Sequence, residues 1–163
     1  MSRDRVASAT AARGGALTRR NIGFLLAKAS QRWNELLARR FAEEGFPEVR
    51  PAFGSLLVPL YEEDGLRQGE LARRARLSKQ TLTTMSRALE GAGLVERRRD
   101  PADARATLVY LTERAQAFRP VAERVLAELD EQAVIALPIA RDELTAALER
   151  LASLENDSEQ TTP

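Results

Sequence analysis

Neither cysteine nor histidine occurs among the 163 residues of this chain. Without cysteine the chain can form no disulfide, and it offers no thiolate nucleophile and no redox-sensing thiol. Without histidine it also lacks the commonest general base near neutral pH, and the usual ligands of zinc are gone. The composition therefore excludes redox control through cysteine and zinc sites of the usual kind.

Long apolar runs are missing as well. No stretch approaches the roughly 20 apolar residues of a membrane-spanning helix, and the N-terminus has no apolar core of a signal peptide. Acidic residues stand side by side at 43–44 and 62–64, but neighbours on a helix point in different directions and nothing supplies a nucleophile with a base. We expect a cytoplasmic protein that is not an enzyme and that uses no cofactor or metal.

Charge is unevenly distributed along the chain. From Arg67 to Arg105 there are ten Lys or Arg residues against five Asp or Glu, which is +5, whereas the whole chain carries +1 and the remainder therefore −4. A local excess of positive charge attracts phosphate groups, and an acidic remainder keeps other surfaces away from nucleic acid. The distribution indicates a nucleic-acid partner for this segment.

The segment begins with the pattern of a helix-turn-helix. Leu71, Ala72 and Ala75 fall on one face of a short first helix. Ser78 then precedes a new apolar periodicity, and its hydroxyl can accept the free N–H groups of a helix start. Ser78 is therefore the predicted N-cap of a second helix.

This second helix, 78–91, has the pattern of a recognition helix. Its apolar residues recur at steps of three and four, so the opposite face presents hydrogen-bonding side chains; the apolar residues are Leu82, Met85 and Leu89, and the polar ones Lys79, Gln80, Thr83, Thr84 and Arg87. The first turn of such a helix reaches base edges in the major groove. Gln80 can pair with adenine, Lys79 with guanine or phosphate, and the threonines with thymine methyl groups or phosphates.

A hairpin with a basic tip follows. β-prone runs at 94–97 and 106–111 bracket residues 98–105, whose Asp-Pro step and charges predict a turn. The hairpin is the wing of a winged helix-turn-helix and spans 95–110.

Helix ends are marked on both sides of the wing. Gly91 and Gly93 are predicted to stop the recognition helix, since glycine takes the left-handed conformation with little strain. Thr112, followed by Glu113, offers the cap of the next helix.

These residues resemble the MarR family, named for multiple antibiotic resistance, whose members are dimeric winged-helix transcription factors of bacteria and archaea. The likeness lies in LA-x-x-x-x-L-S-x-x-T-L-T, LE-x-x-GLVER, DPADAR and V-x-LT, in order and at the expected separations within 69–112. It extends more loosely over 21–154. Together the motifs are specific, although each alone is weak.

The resemblance assigns DNA contacts to particular residues. With the basic residues of the helix and hairpin, the predicted DNA-binding set is Ser78, Lys79, Gln80, Thr81, Thr83, Thr84, Arg87, Arg97, Arg98, Arg99, Asp103 and Arg105. By resemblance, Arg105 enters the minor groove and Asp103 steadies the wing. The chain departs from the family at Thr84 and Ala104, where the family often has arginine.

Apolar periodicity predicts amphipathic helices towards both ends of the chain, at 21–45, 112–136 and 139–154. They carry more apolar surface than one small lobe can cover, which argues for a homodimer. The resemblance agrees, because in the family the first helix intertwines with the C-terminal helices of the other subunit.

Three prolines fall within predicted helices. Pro51 is tolerated in the first turn of a second helix, whereas Pro59 predicts a kink or an early end of that helix. Pro120 lies near the start of the helix after the wing and can bend it.

The resemblance also implies a small effector, often aromatic or phenolic, held between the dimer helices and the winged lobe. Its candidate contacts are Trp33, Phe53, Leu57 and Tyr61. All four are apolar enough to be core without any ligand, and packing is the favoured interpretation.

The predicted fold class is mainly α (α+β), a winged helix-turn-helix with long terminal helices. Its predicted parts are a disordered N-terminal tail at 1–19, a dimerisation helix at 20–48, a DNA-binding lobe at 49–112, C-terminal dimerisation helices at 113–155 and a disordered tail at 156–163. The basic, acid-poor N-terminal tail also has the composition of a DNA-grasping arm or a transit peptide.

The predicted function is that of a dimeric, sequence-specific transcriptional regulator that binds a pseudo-palindromic operator in double-stranded DNA through recognition helix 78–91 and wing 95–110. The resemblance favours repression over activation, because repression is the commoner mode of regulation in the family. The alternative hypothesis is a winged-helix protein–protein interaction module without sequence-specific DNA binding.

Overall fold

The structure, a computed structural model, describes residues 18–154. The chain divides into two compact units, Met1–Ala122 and Glu123–Pro163. The predicted disordered tails lie outside the described residues, except that Thr18 and Arg19 form a bend and a turn before the first helix. The described part is mostly helical with one small antiparallel sheet, which confirms the predicted fold class. Between residues 18 and 154, no helix has both the length and the apolar character that crossing a membrane requires.

The first helix, α1, is Ile22–Glu43. Asn21 caps it, since its Oδ1 accepts the N–H groups of Gly23 and Phe24 at 2.9 and 3.3 Å. Gly45 follows the helix in the left-handed conformation, with φ 87°. The helix predicted between Asn21 and Gly45 is confirmed.

The next segment differs from the prediction at two prolines. Pro51–Phe53 forms a 3₁₀ turn, and helix α2 is Gly54–Glu62. The predicted early end at Pro59 is wrong, because α2 continues to Glu62 with Pro59 inside it. A proline removes a single helical hydrogen bond. Burial of the neighbouring side chains holds the helix together, since exposures are at most 2% for Leu56, Leu57 and Leu60.

A short strand and two helices form the next part of the first unit. Strand β1 is Leu66–Arg67, helix α3 is Gln68–Arg74 and helix α4 is Lys79–Gly91. As predicted, Ser78 caps α4, with its Oγ accepting the N–H of Thr81 at 3.1 Å. The two helices are the predicted helix-turn-helix, whereas β1 was not predicted.

The turn between α3 and α4 contains a non-glycine residue in the left-handed region. Arg76 has φ 52°. Its N–H donates to the carbonyl of Arg73 at 3.2 Å, and the N–H of Leu77 donates to the carbonyl of Ala72 at 2.9 Å. These bonds close the end of α3 as a glycine cap does, with arginine in the position that glycine usually takes.

α4 ends differently from the prediction. Gly93 has φ 71° and is the residue that takes the left-handed conformation. Gly91 is the last residue of α4 itself, so its predicted role in stopping the helix is wrong. The N–H of Leu94 closes the helix end by donating to the carbonyl of Leu89 at 3.0 Å.

The wing has longer strands than predicted. β2 is Val95–Asp100 and β3 is Asp103–Leu111, so the turn is only Pro101 and Ala102. The predicted turn at 98–105 is wrong, because backbone pairing continues through exposed, charged residues whose side chains do not take part in the ladder.

The sheet has the order β1-β3-β2 and is antiparallel throughout. Leu66 of β1 pairs with Val109 of β3, far along the chain. The Asp64 Oδ1 accepts the N–H of Leu111 at 2.8 Å, which fixes the start of β1 to the end of β3. The core of this unit draws on both helices of the helix-turn-helix and on the sheet through Leu71, Leu82, Leu89, Leu94 and Val109.

Helix α5, Glu113–Ala136, begins in the first unit, and Pro120 lies inside it. As predicted, Thr112 caps α5, since its Oγ1 accepts the N–H of Ala115 at 3.2 Å. The Phe118 ring meets the ring of Phe41 edge-on, with centroids 4.8 Å apart.

The second unit contains the rest of α5 and helix α6, Arg141–Ala152. Asp130 of α5 pairs with Arg141 of α6 at 3.5 Å. Several large apolar side chains of this unit are exposed to solvent: Leu126, Ile135, Leu137, Leu148, Leu151 and Leu154.

Candidate nucleic-acid interface

The outward face of α4 carries Gln80, Thr84 and Arg87, all exposed. At roughly 100° per residue, these three lie opposite the buried side of the helix, which consists of Leu82, Ser86 and Leu89. Ser86 was not predicted to be buried. Three of the five residues of the predicted polar face therefore lie together on the outward surface of α4.

A groove of 450 Å³ lies between α4 and the wing. Its walls include Lys79 and Thr83 of α4 and Arg105 of β3, as well as Arg67 and Glu70 before and within α3. Lys79, Thr83 and Arg105 come from separate sequence motifs, and the fold brings them to the same groove.

The wing arginines are divided between the two faces of the sheet. Residues directly opposite on paired strands share a face, and successive residues alternate. Arg99 and its partner Thr107 share a face with the buried Val95 and Val109, so the adjacent Arg98 lies on the other face. There Arg98 forms an ion pair with Glu96, and its guanidinium lies 4.8 Å from the centroid of the Tyr110 ring. Of these two predicted DNA contacts, only Arg99 lies on the sheet face that carries Thr107 of the groove wall.

Half of the ten cations between residues 67 and 105 are paired with carboxylates: Arg67, Arg73, Arg74, Arg97 and Arg98. The other five are exposed and form no ion pair with any residue from 18 to 154: Arg76, Lys79, Arg87, Arg99 and Arg105. An exposed cation without a carboxylate partner can bind a phosphate without breaking an existing ion pair. These five cations belong to the helix-turn-helix and the groove side of the wing.

A buried carboxylate anchors the wing tip. Asp100 is 7% exposed; its Oδ1 accepts the N–H of Ala102 at 2.8 Å, and its Oδ2 lies 2.6 Å from Nη2 of Arg67 on β1. The Ala102 N–H, and then the Arg67 guanidinium, hold the pKa of Asp100 below its usual value, although burial acts in the opposite direction. The pair joins the two outer strands across β3.

The resemblance assigns the steadying of the wing to Asp103, and this role stays a prediction. Asp103 is exposed, and its Oδ1 accepts the N–H of Arg105 at 3.0 Å within the same strand. Asp100 was missed as a site residue; the signal for it was its position just before Pro101 in the turn.

Glu70 forms ion pairs with two arginines of α3. It accepts a hydrogen bond from Arg73 Nε at 2.9 Å and another from Arg74 Nε at 2.8 Å, and Arg74 also pairs with Glu63. The Arg73 and Arg74 guanidinium groups lower the pKa of Glu70 to about 2. The cluster is at the surface, so water and salt weaken it. Its consequence is that Arg73 and Arg74 are neutralised beside the groove.

The four predicted effector contacts lie in the first unit in different environments. Phe53 and Leu57 are buried, with exposures of 4% and 2%, whereas Trp33 and Tyr61 are half-buried. The Tyr61 hydroxyl donates to the carbonyl of Ala115 at 2.6 Å. Phe53 lines a cavity of 310 Å³ whose lining does not include the other three. A shared effector pocket stays a prediction.

Comparisons with known proteins match this chain to a family model and to HTH-type transcriptional regulators. A family model described as MarR family matches residues 53–107. The uncharacterized HTH-type transcriptional regulator YdgJ of Bacillus subtilis (strain 168) is 36% identical over 78 residues, covering 45% of this chain and 48% of YdgJ. The HTH-type transcriptional regulator TtmR of Methylorubrum extorquens (strain PA1) is 30% identical over 102 residues, covering 63% of this chain and 50% of TtmR. The chain thus spans about half the length of these curated relatives.

Similarity to a solved structure extends further. The transcriptional repressor CouR bound to a 23-mer DNA duplex matches with a TM-score of 0.67 at 30% identity, covering 85% of this chain and 94% of CouR. CouR bound to p-coumaroyl-CoA matches with a TM-score of 0.70 at 26% identity, covering 86% of this chain and 97% of CouR. The motifs, the winged helix-turn-helix and similarity over nearly the whole of CouR agree: the chain belongs to the MarR family.

Proposed function

We propose that this MarR-family transcriptional regulator is a homodimeric repressor that binds a pseudo-palindromic operator through α4 and the wing. The observation that carries the proposal is the set of five exposed cations without ion pairs in the helix-turn-helix and wing. CouR, solved on a DNA duplex, supports DNA as the partner. In this proposal α4 enters the major groove, and Arg105 with Arg99 contacts the backbone and the minor groove.

The proposed division of the chain assigns residues 49–112 to DNA binding and residues 20–48 and 113–155 to dimerisation. Exposed apolar side chains support the dimer. On α1, Ile22, Phe24 and Leu25 are 69%, 42% and 51% exposed, and the second unit has its own exposed leucines and isoleucine. Burying these side chains against a second copy removes apolar surface from water. A two-fold axis then places two copies of α4 in successive major grooves, about one helical turn of DNA apart.

The proposal includes release from DNA by a small aromatic effector. The complex of CouR with p-coumaroyl-CoA supports an aromatic compound as the ligand class. Trp33, Phe53, Leu57 and Tyr61 are the proposed contacts, and Trp33 is the only tryptophan of the chain, so its fluorescence reports binding at this position. An effector shifts DNA affinity only through its preference for one dimer geometry, so DNA release, rather than ligand binding alone, tests this part.

The test is a fluorescence-anisotropy titration of the protein against the DNA flanking its own gene, at two salt concentrations and with an unrelated duplex as competitor. Specific binding should resist the competitor. It should also weaken steeply with salt, because each neutralised phosphate makes the slope of log affinity against log salt more negative by about 0.9.

If binding is weak and the unrelated duplex competes as well as the flanking DNA does, the next experiment is a selection from random duplex DNA. If that selection also enriches no sequence, the repressor proposal fails and the interaction-module alternative takes its place.

A further inference from the structure

Thr84 lies on the side of α4 opposite its buried residues, one turn after Gln80. It is exposed and stands between the ends of the helix, so in the proposed complex it faces the floor of the major groove. This position makes Thr84 a candidate for contact with a base.

The hydroxyl of Thr84 is already engaged. Its Oγ1 donates to the carbonyl of Gln80 at 3.1 Å, and the neighbouring Thr83 Oγ1 donates to the carbonyl of Lys79 at 2.8 Å. A hydroxyl has a single hydrogen, so neither threonine has a donor left for a phosphate or for guanine. With Oγ1 turned back along the helix, the methyl group of Thr84 is the other substituent that its Cβ presents.

We propose that Thr84 is a specificity-determining residue that recognises thymine through contact between its own methyl group and the 5-methyl group of the base. The inference rests on the proposed DNA binding and selects between the two contacts that the sequence suggested for the threonines, thymine methyl groups or phosphates. Thymine is the base that offers a methyl group in the major groove.

Deoxyuridine tests the contact directly, because it differs from thymidine only by that methyl group. An operator obtained by selection from random duplex DNA is synthesised with each thymine replaced singly by deoxyuridine. For the wild-type protein, one replacement in each half-site should weaken binding roughly three- to five-fold, the value of about one buried methyl group. If no replacement weakens binding, the inference is overturned.

Two variants at the same position separate methyl from hydroxyl. Thr84→Val keeps a methyl group and lacks the hydroxyl, whereas Thr84→Ser keeps the hydroxyl and lacks the methyl group. The valine variant should retain the preference for thymine over deoxyuridine at the sensitive position, and the serine variant should lose it. Thr145→Ser, at an exposed position on α6, removes the same methyl group away from α4 and should leave the preference unchanged.

The opposite pattern overturns the inference: a serine variant that keeps the full preference, or a valine variant that loses it. Circular dichroism of each variant checks that α4 is intact. Failure of the proposed function looks different, because then the selection enriches no operator for the wild-type protein, and both proposals fall together. An enriched operator without thymine sensitivity rejects only the role of Thr84.

Discussion

At Gly65 the backbone passes close to the wing, and the position leaves no room for a side chain. It has φ 71°, and a Cβ there would lie 2.5 Å from Cε1 of Tyr110 on β3. Gly93 has the same φ of 71°, but a Cβ there would meet nothing within 4 Å. The two glycines therefore separate the strain of the left-handed conformation from the effect of a steric clash.

Replacing each glycine by alanine gives a testable difference in stability. Gly93→Ala should lower the free energy of unfolding by about 1 kcal/mol through backbone strain alone. Gly65→Ala should lower it by roughly 2–4 kcal/mol, because the clash with the Tyr110 ring adds to the strain. Urea unfolding followed by circular dichroism measures both. Equal losses would mean that the Tyr110 ring moves aside without penalty.

Asp100 predicts a pH dependence. Its pKa in the folded chain is lower than its usual value, so the carboxylate stabilises the fold at neutral pH, and this contribution is lost as the pH falls through the folded pKa. Asp100→Asn should therefore unfold at a lower temperature than the wild type at pH 7, and the difference should shrink below roughly pH 4. Thermal unfolding from pH 7 to pH 2.5 gives the comparison.

Glu70 also titrates in acid, with a pKa of about 2, but it does so in both proteins and cancels from the difference. Arg67→Met is the matched control, because it removes the ion pair and leaves the Ala102 N–H bonded to Asp100. A difference between wild type and Asp100→Asn that is independent of pH would contradict the role of the charge.

In the proposed complex, the wing and α4 should make separable contributions to DNA binding. Arg105 and Arg99 lie on the groove side, whereas Arg98 is paired with Glu96 on the other face. Arg105→Ala should weaken binding to all sequences and reduce the salt slope by about 0.9. Gln80→Ala should instead relax the preference at particular base pairs, each worth roughly 1–3 kcal/mol.

Arg98→Ala is the matched comparison for Arg105→Ala, since it removes the same charge from the opposite face of the sheet. It should change affinity and salt slope less than Arg105→Ala does. Anisotropy titrations over a salt series measure all three variants. Unchanged binding in both Arg105→Ala and Gln80→Ala would rule out the assignment of α4 and the wing as the interface.

Some elements followed directly from local patterns. The periodicity of α1 and α4, the Ser78 cap and the Thr112 cap depend on residues within about one helical turn, and all four predictions are confirmed. The ends of β2 and β3 did not follow, because exposed arginines carry little signal for pairing. β1 has only two residues and pairs with a distant strand, so no local pattern marks it.

Assembly of the chain is the proposal with the broadest consequence, since two recognition helices require two copies. Sedimentation equilibrium should give twice the chain mass of 18.0 kDa. Leu25→Arg places a charge on the exposed apolar face of α1, where the leucine is 51% exposed. The variant should sediment with the mass of a single chain and keep its helical circular dichroism, and its DNA affinity should fall because one half-site is lost.

A wild-type protein that sediments at 18.0 kDa at micromolar concentration would contradict the dimer. A Leu25→Arg variant that keeps the double mass would place the interface elsewhere. Neither result bears on the winged helix-turn-helix itself, whose core does not include Leu25.

Membership of the MarR family was already contained in the sequence, in the order and spacing of four motifs between residues 69 and 112. The helices, their caps and the polar face of α4 were also readable there, since each depends on side chains that are neighbours along the chain.

Which charges are available for DNA depended on the folded chain. The sequence shows ten cations between 67 and 105. Only the fold pairs Arg67 with Asp100, puts Arg98 on the sheet face opposite to Arg99 and brings Lys79 and Arg105 to the same groove. An ion pair or a shared groove depends on the distance between residues far apart in the chain, and sheet register sets those distances. The commitment of the Thr84 hydroxyl to its own helix likewise required atomic positions, because the residue type allows both a methyl and a hydrogen-bond contact.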